Sequence, residues 1–183
     1  MLKDGVIARL EAINLAVNPE AAQEFGVRSV PWLRIGQFEL EGALTPGELR
    51  RWADAHDSTA GVKDYFFQML KSGRRDKVER LIRSKPEFSA VFAELMRDPE
   101  TSMAVRLGIA AVLEELRGTS LTDALVAPLG ELTHHEDALT RADACHFLTL
   151  IGGEEVIPYL RACLDDEDSE VREIAQEALG IEL

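Results

Sequence analysis

Apolar positions follow two different periods along this chain. Over residues 6–17, Leu10, Ala12 or Ile13, and Leu15 alternate with polar residues, and β-branched residues lie at the edges, which predicts a short strand. Asn18-Pro19 then reads as a helix start, with Asn18 as cap, Pro19 at the first helical position and Gly26 as the stop after Phe25. A second apolar run holds Val27, Val30, Trp32, Leu33 and Ile35, interrupted by Pro31. Gly36 predicts a turn, and Phe38 and Leu40 alternating with Glu39 and Glu41 predict the return strand, ended at Gly42. Thr45-Pro46-Gly47-Glu48 carries the residues of a capping box, so a helix is expected from there to about His56, with Leu49 and Trp52 inward.

From residue 58 the period lengthens. Val62, Tyr65, Phe66, Met69 and Leu70 follow the three-and-four spacing of an amphipathic helix closed at Gly73. Val78, Leu81 and Ile82 do the same before Lys85-Pro86, and Phe88, Val91, Phe92 and Leu95 form a third helix stopped near Asp98-Pro99. Beyond Asp98 the chain repeats itself. DALTRADACHFLTLIG and DSEVREIAQEALG align without gaps over twelve positions, pairing Asp137 with Asp168, Arg141 with Arg172, Ala144 with Ala175 and Leu148 with Leu179. The preceding helices correspond too, Leu129 with Leu160 and Leu132 with Cys163. SMAVRLGIAAVLEELRG is an earlier, looser copy, with Ser102 in the aspartate place and Arg106 in the arginine place. A period of about 30 built of two helices is the mark of a helical solenoid, in which hairpins that cannot bury their apolar faces alone stack into one core.

LDDEDSEVREIAQEAL and TRADACHFLTLIG resemble HEAT repeats, including those of bilin-lyase-like proteins, over residues 101–183. Asp137 and Asp168 are placed to cap the inner helices. Arg141 and Arg172, one turn on, are expected within reach of that carboxylate and of its equivalent in the next repeat, forming a structural ladder. Since repeat folds serve many functions, a tetrapyrrole-binding or lyase activity does not follow from this likeness.

NPEAAQEFGVRSVPWLRIG followed by FELEGALTPGELRRW resembles the second half of a thioredoxin-like domain, over residues 1–57. The resemblance implies a cis proline at Pro31 after Val30, and a backbone at Val30, Pro31 and Trp32 able to pair with an extended peptide by strand addition. It also implies a central strand and a C-x-x-C motif ahead of Met1, with residues 1–5 as the tail of the helix that motif would begin. This chain has no cysteine before Cys145, so as given it carries no thioredoxin-type redox chemistry. The fold expected is therefore α/β, a partial thioredoxin-like fold over 1–57, then a helical connector or degenerate repeat over 58–97, then an all-α HEAT-like solenoid over 98–183.

Composition narrows the partners. The net charge of -13 argues against nucleic acid and anionic membranes. The local run of Lys71, Arg74, Arg75, Lys77, Arg80, Arg83 and Lys85, broken by Asp76 and Glu79, reads as a solvated helix face. No apolar stretch is long enough to span a bilayer and no signal segment leads the sequence, so a cytoplasmic protein is expected. Cys145 and Cys163 fit no zinc spacing and read as reduced, buried apolar side chains. His134, His135, Glu136, Asp137, Asp143 and His146 read as loop and cap polarity, with no metal and no cofactor expected. The function expected is a protein-interaction module without catalytic residues; the alternative is a piece of a thiol-disulfide oxidoreductase whose C-x-x-C lies upstream.

Overall fold

A computed structural model of the chain describes residues 5–181, so the helix tail expected over 1–5 falls almost wholly outside it. Two compact units divide the chain, Met1–Val62 and Lys63–Leu183.

The first unit holds helix α1 (Glu20–Glu24), strands β1 (Trp32–Ile35) and β2 (Phe38–Glu41), and helix α2 (Pro46–Ala55). β1 and β2 pair antiparallel, Trp32 opposite Glu41 and Ile35 opposite Phe38, around the two-residue turn Gly36-Gln37. Gly36 has φ 55°, the left-handed conformation that such a turn needs at its first position. Gln37 Nε2 donates to the His56 carbonyl at 2.8 Å and ties the turn to the end of α2. Alternation along β2 buries Phe38 and Leu40, and the Phe38 ring meets the Trp52 ring edge-on at 5.1 Å. α2 begins with a complete capping box: Thr45 Oγ1 accepts from Glu48 N–H at 3.3 Å, and Glu48 Oε2 accepts from Thr45 N–H at 2.8 Å. That backbone bond holds the Glu48 carboxyl below the usual carboxylate range.

Two expectations for this unit need correction. No strand forms over residues 6–17; among the described residues the sheet has two strands only. Asn14 explains much of this, because its side-chain Oδ1 accepts from Ala16 N–H at 2.9 Å and its carbonyl accepts from Val17 and Asn18 N–H. That Asx turn competes with extended backbone. The second correction is a shift by one residue: Pro19 occupies the cap place of α1, the helix starts at Glu20, and no side chain caps it.

The second unit is helical. Helix α3 (Thr59–Lys71) leads into it from the first, followed by α4 (Arg75–Ser84), a 3-10 turn Pro86–Ala90 running into α5 (Val91–Arg97), then α6 (Met103–Glu115), α7 (Asp123–Leu132), α8 (Ala138–Ile151), α9 (Ile157–Ala162) with a closing 3-10 turn Cys163–Asp165, and α10 (Ser169–Leu179). These helices form two rows. In one, α4 packs on α6, α6 on α8 and α8 on α10; in the other, the 86–97 segment packs on α7. α7 then meets α9 at Gly130, where an added Cβ would lie 2.2 Å from Tyr159 Cε1, so the missing side chain lets the next hairpin approach closely. Between the rows lie Phe66, Phe92, Ile109, Leu113, Leu125, Leu129, Phe147 and Leu148, each at most 2 % exposed. Each such side chain contributes about 1.5–3 kcal/mol by leaving water.

Candidate functional site

The row α6, α8, α10 is built by side chains that close local turns and reach to the neighbouring hairpin. At α8, Asp137 Oδ2 accepts from the N–H and the hydroxyl of Thr140 at 2.9 and 2.8 Å, and the hydroxyl contact holds its carboxyl below the ordinary aspartate value. At α10, Asp168 Oδ1 accepts from Glu170 and Val171 N–H. Ser102, in the same place before α6, makes no side-chain cap.

The arginines do something other than touch those caps. Arg141 Nη1 donates to the His135 and Glu136 carbonyls at 2.9 and 3.1 Å, bracing the turn of its own hairpin. Its Nε and Nη2 grip Asp166 Oδ2 and Oδ1 at 2.8 and 2.9 Å, a bidentate fork onto the following hairpin. Nη2 also reaches Glu167 at 3.2 Å. The guanidinium keeps the Asp166 carboxyl well below its usual range, and Asp166 in turn raises Arg141. Arg172 Nη1 braces its own turn through the Asp166 and Glu167 carbonyls at 2.6 and 2.9 Å. Arg106 departs from both, bridging to Asp143 on α8 and to the Met96 carbonyl. Asp166 is the partner that the repeat alignment did not single out; its signal was a second aspartate two residues before the cap.

The outward face of this row changes character from one helix to the next. Through the repeat alignment and its looser first copy, Leu107 corresponds to Ala142, which is buried, and to Glu173, Ala104 to Leu139 and Glu170, and Ala111 to His146 and Glu177. Met103, Leu107 and Leu139 are 60, 63 and 48 % exposed, and Glu170, Glu173 and Glu177 are exposed on α10. The face thus runs from apolar on α6 to acidic on α10.

Cys145 on α8 and Cys163 at the end of α9 are both buried, with their sulfurs 2.6 Å apart. The sequence alone presents them as separate core residues. Their register gave a signal: Cys145 follows Arg141 by one turn, and Cys163 precedes Asp166 by one turn.

In the first unit, the Val30–Pro31 peptide bond is cis and Val30 is 71 % exposed. Trp32 stacks on Phe25 with ring centroids 5.9 Å apart, and the Arg34 guanidinium lies 5.3 Å from the Trp32 ring. Gly42 N–H donates to the Pro31 carbonyl, which with the two-residue turn makes Leu33 and Leu40 a hydrogen-bonded pair. The backbone groups of Trp32 and Arg34 therefore point to the other edge of β1, where among the described residues no strand pairs with them.

The remaining candidates disperse. His134 and His146 are exposed, His135 Nδ1 takes the Asp137 N–H at 3.1 Å, and among the described residues no three His, Cys, Asp or Glu side chains gather as metal ligands. Within the basic run, Arg80 pairs with Asp76 and Arg83 with Glu79, each one helical turn apart. No helix among the described residues is long and apolar enough to cross a membrane.

Comparison with known proteins bears on the second unit. A model of the HEAT repeats family matches residues 88–180, just over half of the chain, beginning in the 3-10 turn ahead of α5. Neither the curated proteins nor the solved structures give a significant match. Paired helices stacked in two rows, with aspartate caps and arginine braces recurring inside the matched segment, agree with that assignment: this chain belongs to the HEAT-repeat family.

Proposed function

We propose that this protein is an interaction module whose α6–α8–α10 face binds a protein segment that is apolar at one end and basic at the other. The observation that carries this is the graded face: Met103, Leu107 and Leu139 expose large apolar groups, while Glu170, Glu173 and Glu177 line the last helix on one side. Exposed apolar side chains grouped on one face are the usual sign of a binding surface, and the acidic end selects a cationic stretch by complementarity. Asp137, Arg141, Asp168 and Arg172 serve as the frame of that face, and residues 58–97 add a degenerate leading repeat, supported by the packing of α4 on α6.

The first unit, on this reading, is a thioredoxin-like half-domain ending near residue 57 and without catalytic residues. Val30, Pro31 and Trp32 offer the open edge of β1 to an extended peptide. The module works in the cytoplasm on protein partners, not on nucleic acid.

The test is affinity capture with the full chain from a cytoplasmic extract, beside two variants: Met103→Asp with Leu107→Asp, and Glu170→Lys with Glu173→Lys and Glu177→Lys. Capture of one protein set lost in both variants, with helical circular dichroism unchanged, supports the reading. Capture unaffected by both overturns it.

A further inference from the structure

The seam between the second and third hairpins of the matched segment is closed by two contacts along one line. At one end lies the Arg141–Asp166 fork, with both side chains under 10 % exposed. One turn along each helix lie Cys145 and Cys163, 0 and 2 % exposed, with Sγ atoms 2.6 Å apart. The fork holds the two segments in register. Core filling explains why each cysteine is apolar and small; it does not explain why the two sulfurs are aimed at one another across a seam between repeats.

We propose that Cys145 and Cys163 are a reversible dithiol–disulfide couple, oxidised by hydroperoxides, that locks the second hairpin to the third. One of the two sulfurs attacks the peroxide oxygen. The O–O bond breaks, the hydroxide or alkoxide leaves with the proton of the attacking thiol, and that cysteine becomes a sulfenic acid. The sulfur of the other cysteine then attacks it; the S–O bond breaks, and the second thiol's proton departs with the hydroxyl as water. Two thiols and one hydroperoxide give one disulfide, one water and one further water or alcohol. A dithiol reductant reverses the change by thiol–disulfide exchange.

The test uses the full chain in native buffer with hydrogen peroxide as probe, followed by quenching, alkylation in denaturant, intact mass and peptide mapping without reductant. Expected are loss of both alkylatable thiols together, a mass lower by about 2 Da from two departed hydrogens, a linked pair of peptides holding Cys145 and Cys163, and full recovery with dithiothreitol. The oxidised chain should also show an unfolded fraction at fixed urea lower by about tenfold or more, because the link restricts the unfolded state. Cys145→Ala should stop Cys163 at the sulfenic or sulfinic stage with no gain in urea resistance. The wild-type result stands without that variant should it fold poorly. Thiols that stay alkylatable in peroxide, or that pair only when urea is present, overturn the proposal.

Discussion

The two units handle their apolar residues in opposite ways. In the second, most large apolar side chains are buried among the helices, with Met103, Leu107, Leu139 and Ile181 exposed. In the first, Leu10, Ile13, Val17 and Val30 stand 66, 41, 72 and 71 % exposed, and a hairpin with one helix provides the buried cluster around Phe38, Leu40 and Trp52. A helical hairpin makes its hydrogen bonds within itself and asks of its neighbour only a matching apolar surface. A strand needs a partner for its backbone, and an alternating sequence without one remains an unmet request. Stacking in the second unit is thus local and repetitive, while burial in the first depends on pairing across the chain.

Four measurements sharpen this contrast. The largest effect is expected from Phe92→Ala, which empties a fully buried site between the rows where the Phe92 ring lies tilted against Phe66, centroids 5.5 Å apart. A loss of about 3–5 kcal/mol in urea unfolding is expected. Arg141→Ala removes the fork while leaving the Asp166 carboxylate charged and enclosed, and should cost about 2–4 kcal/mol; Arg141→Lys should recover only part of it, since an ammonium cannot grip two oxygens in one plane.

Third comes acid sensitivity. Asp166 and Asp137 both have depressed values in the folded chain, from the Arg141 and Thr140 hydrogen bonds respectively. A group depressed on folding stabilises above its unfolded value, about 3.9 for aspartate, and that contribution disappears as pH falls through the folded value. The urea midpoint of the wild type should therefore fall as pH drops below about 4, and Asp166→Asn should lower stability at neutral pH while flattening that acid decline. Smallest is Leu10→Ala in the first unit, expected within about 0.5 kcal/mol of wild type because the side chain is already in water. A cost of several kilocalories there would mean that the apolar segment has a partner, and the contrast between the units would fail.

What the sequence disclosed follows from the range of each interaction. Thr45 and Glu48 lie three residues apart, as do Asp137 and Thr140, so their caps could be read directly. The turn Gly36-Gln37 was equally local. The alternation over 6–17 does not yield a strand because the Asn14 side chain bends the backbone two residues on. Arg141 and Asp166 are 25 residues apart, and the cysteine pair 18. Which residue across the seam each one meets is set by how the hairpins slide over one another, information that periodicity does not carry. The exposed face had the same obstacle: the gradient from Leu107 to Glu173 appears only once the helices are laid side by side.

The planar grip of Arg141 on Asp166 has a mechanical meaning as well. A lone ammonium against a carboxylate behaves as a ball joint, free to swivel at fixed separation. Two parallel bonds in one plane behave as a plate hinge, resisting torsion and allowing bending about a single axis. Successive hairpins here are thereby fixed in pitch around the stack, and any flexing of this solenoid at that seam is confined to opening and closing like a book.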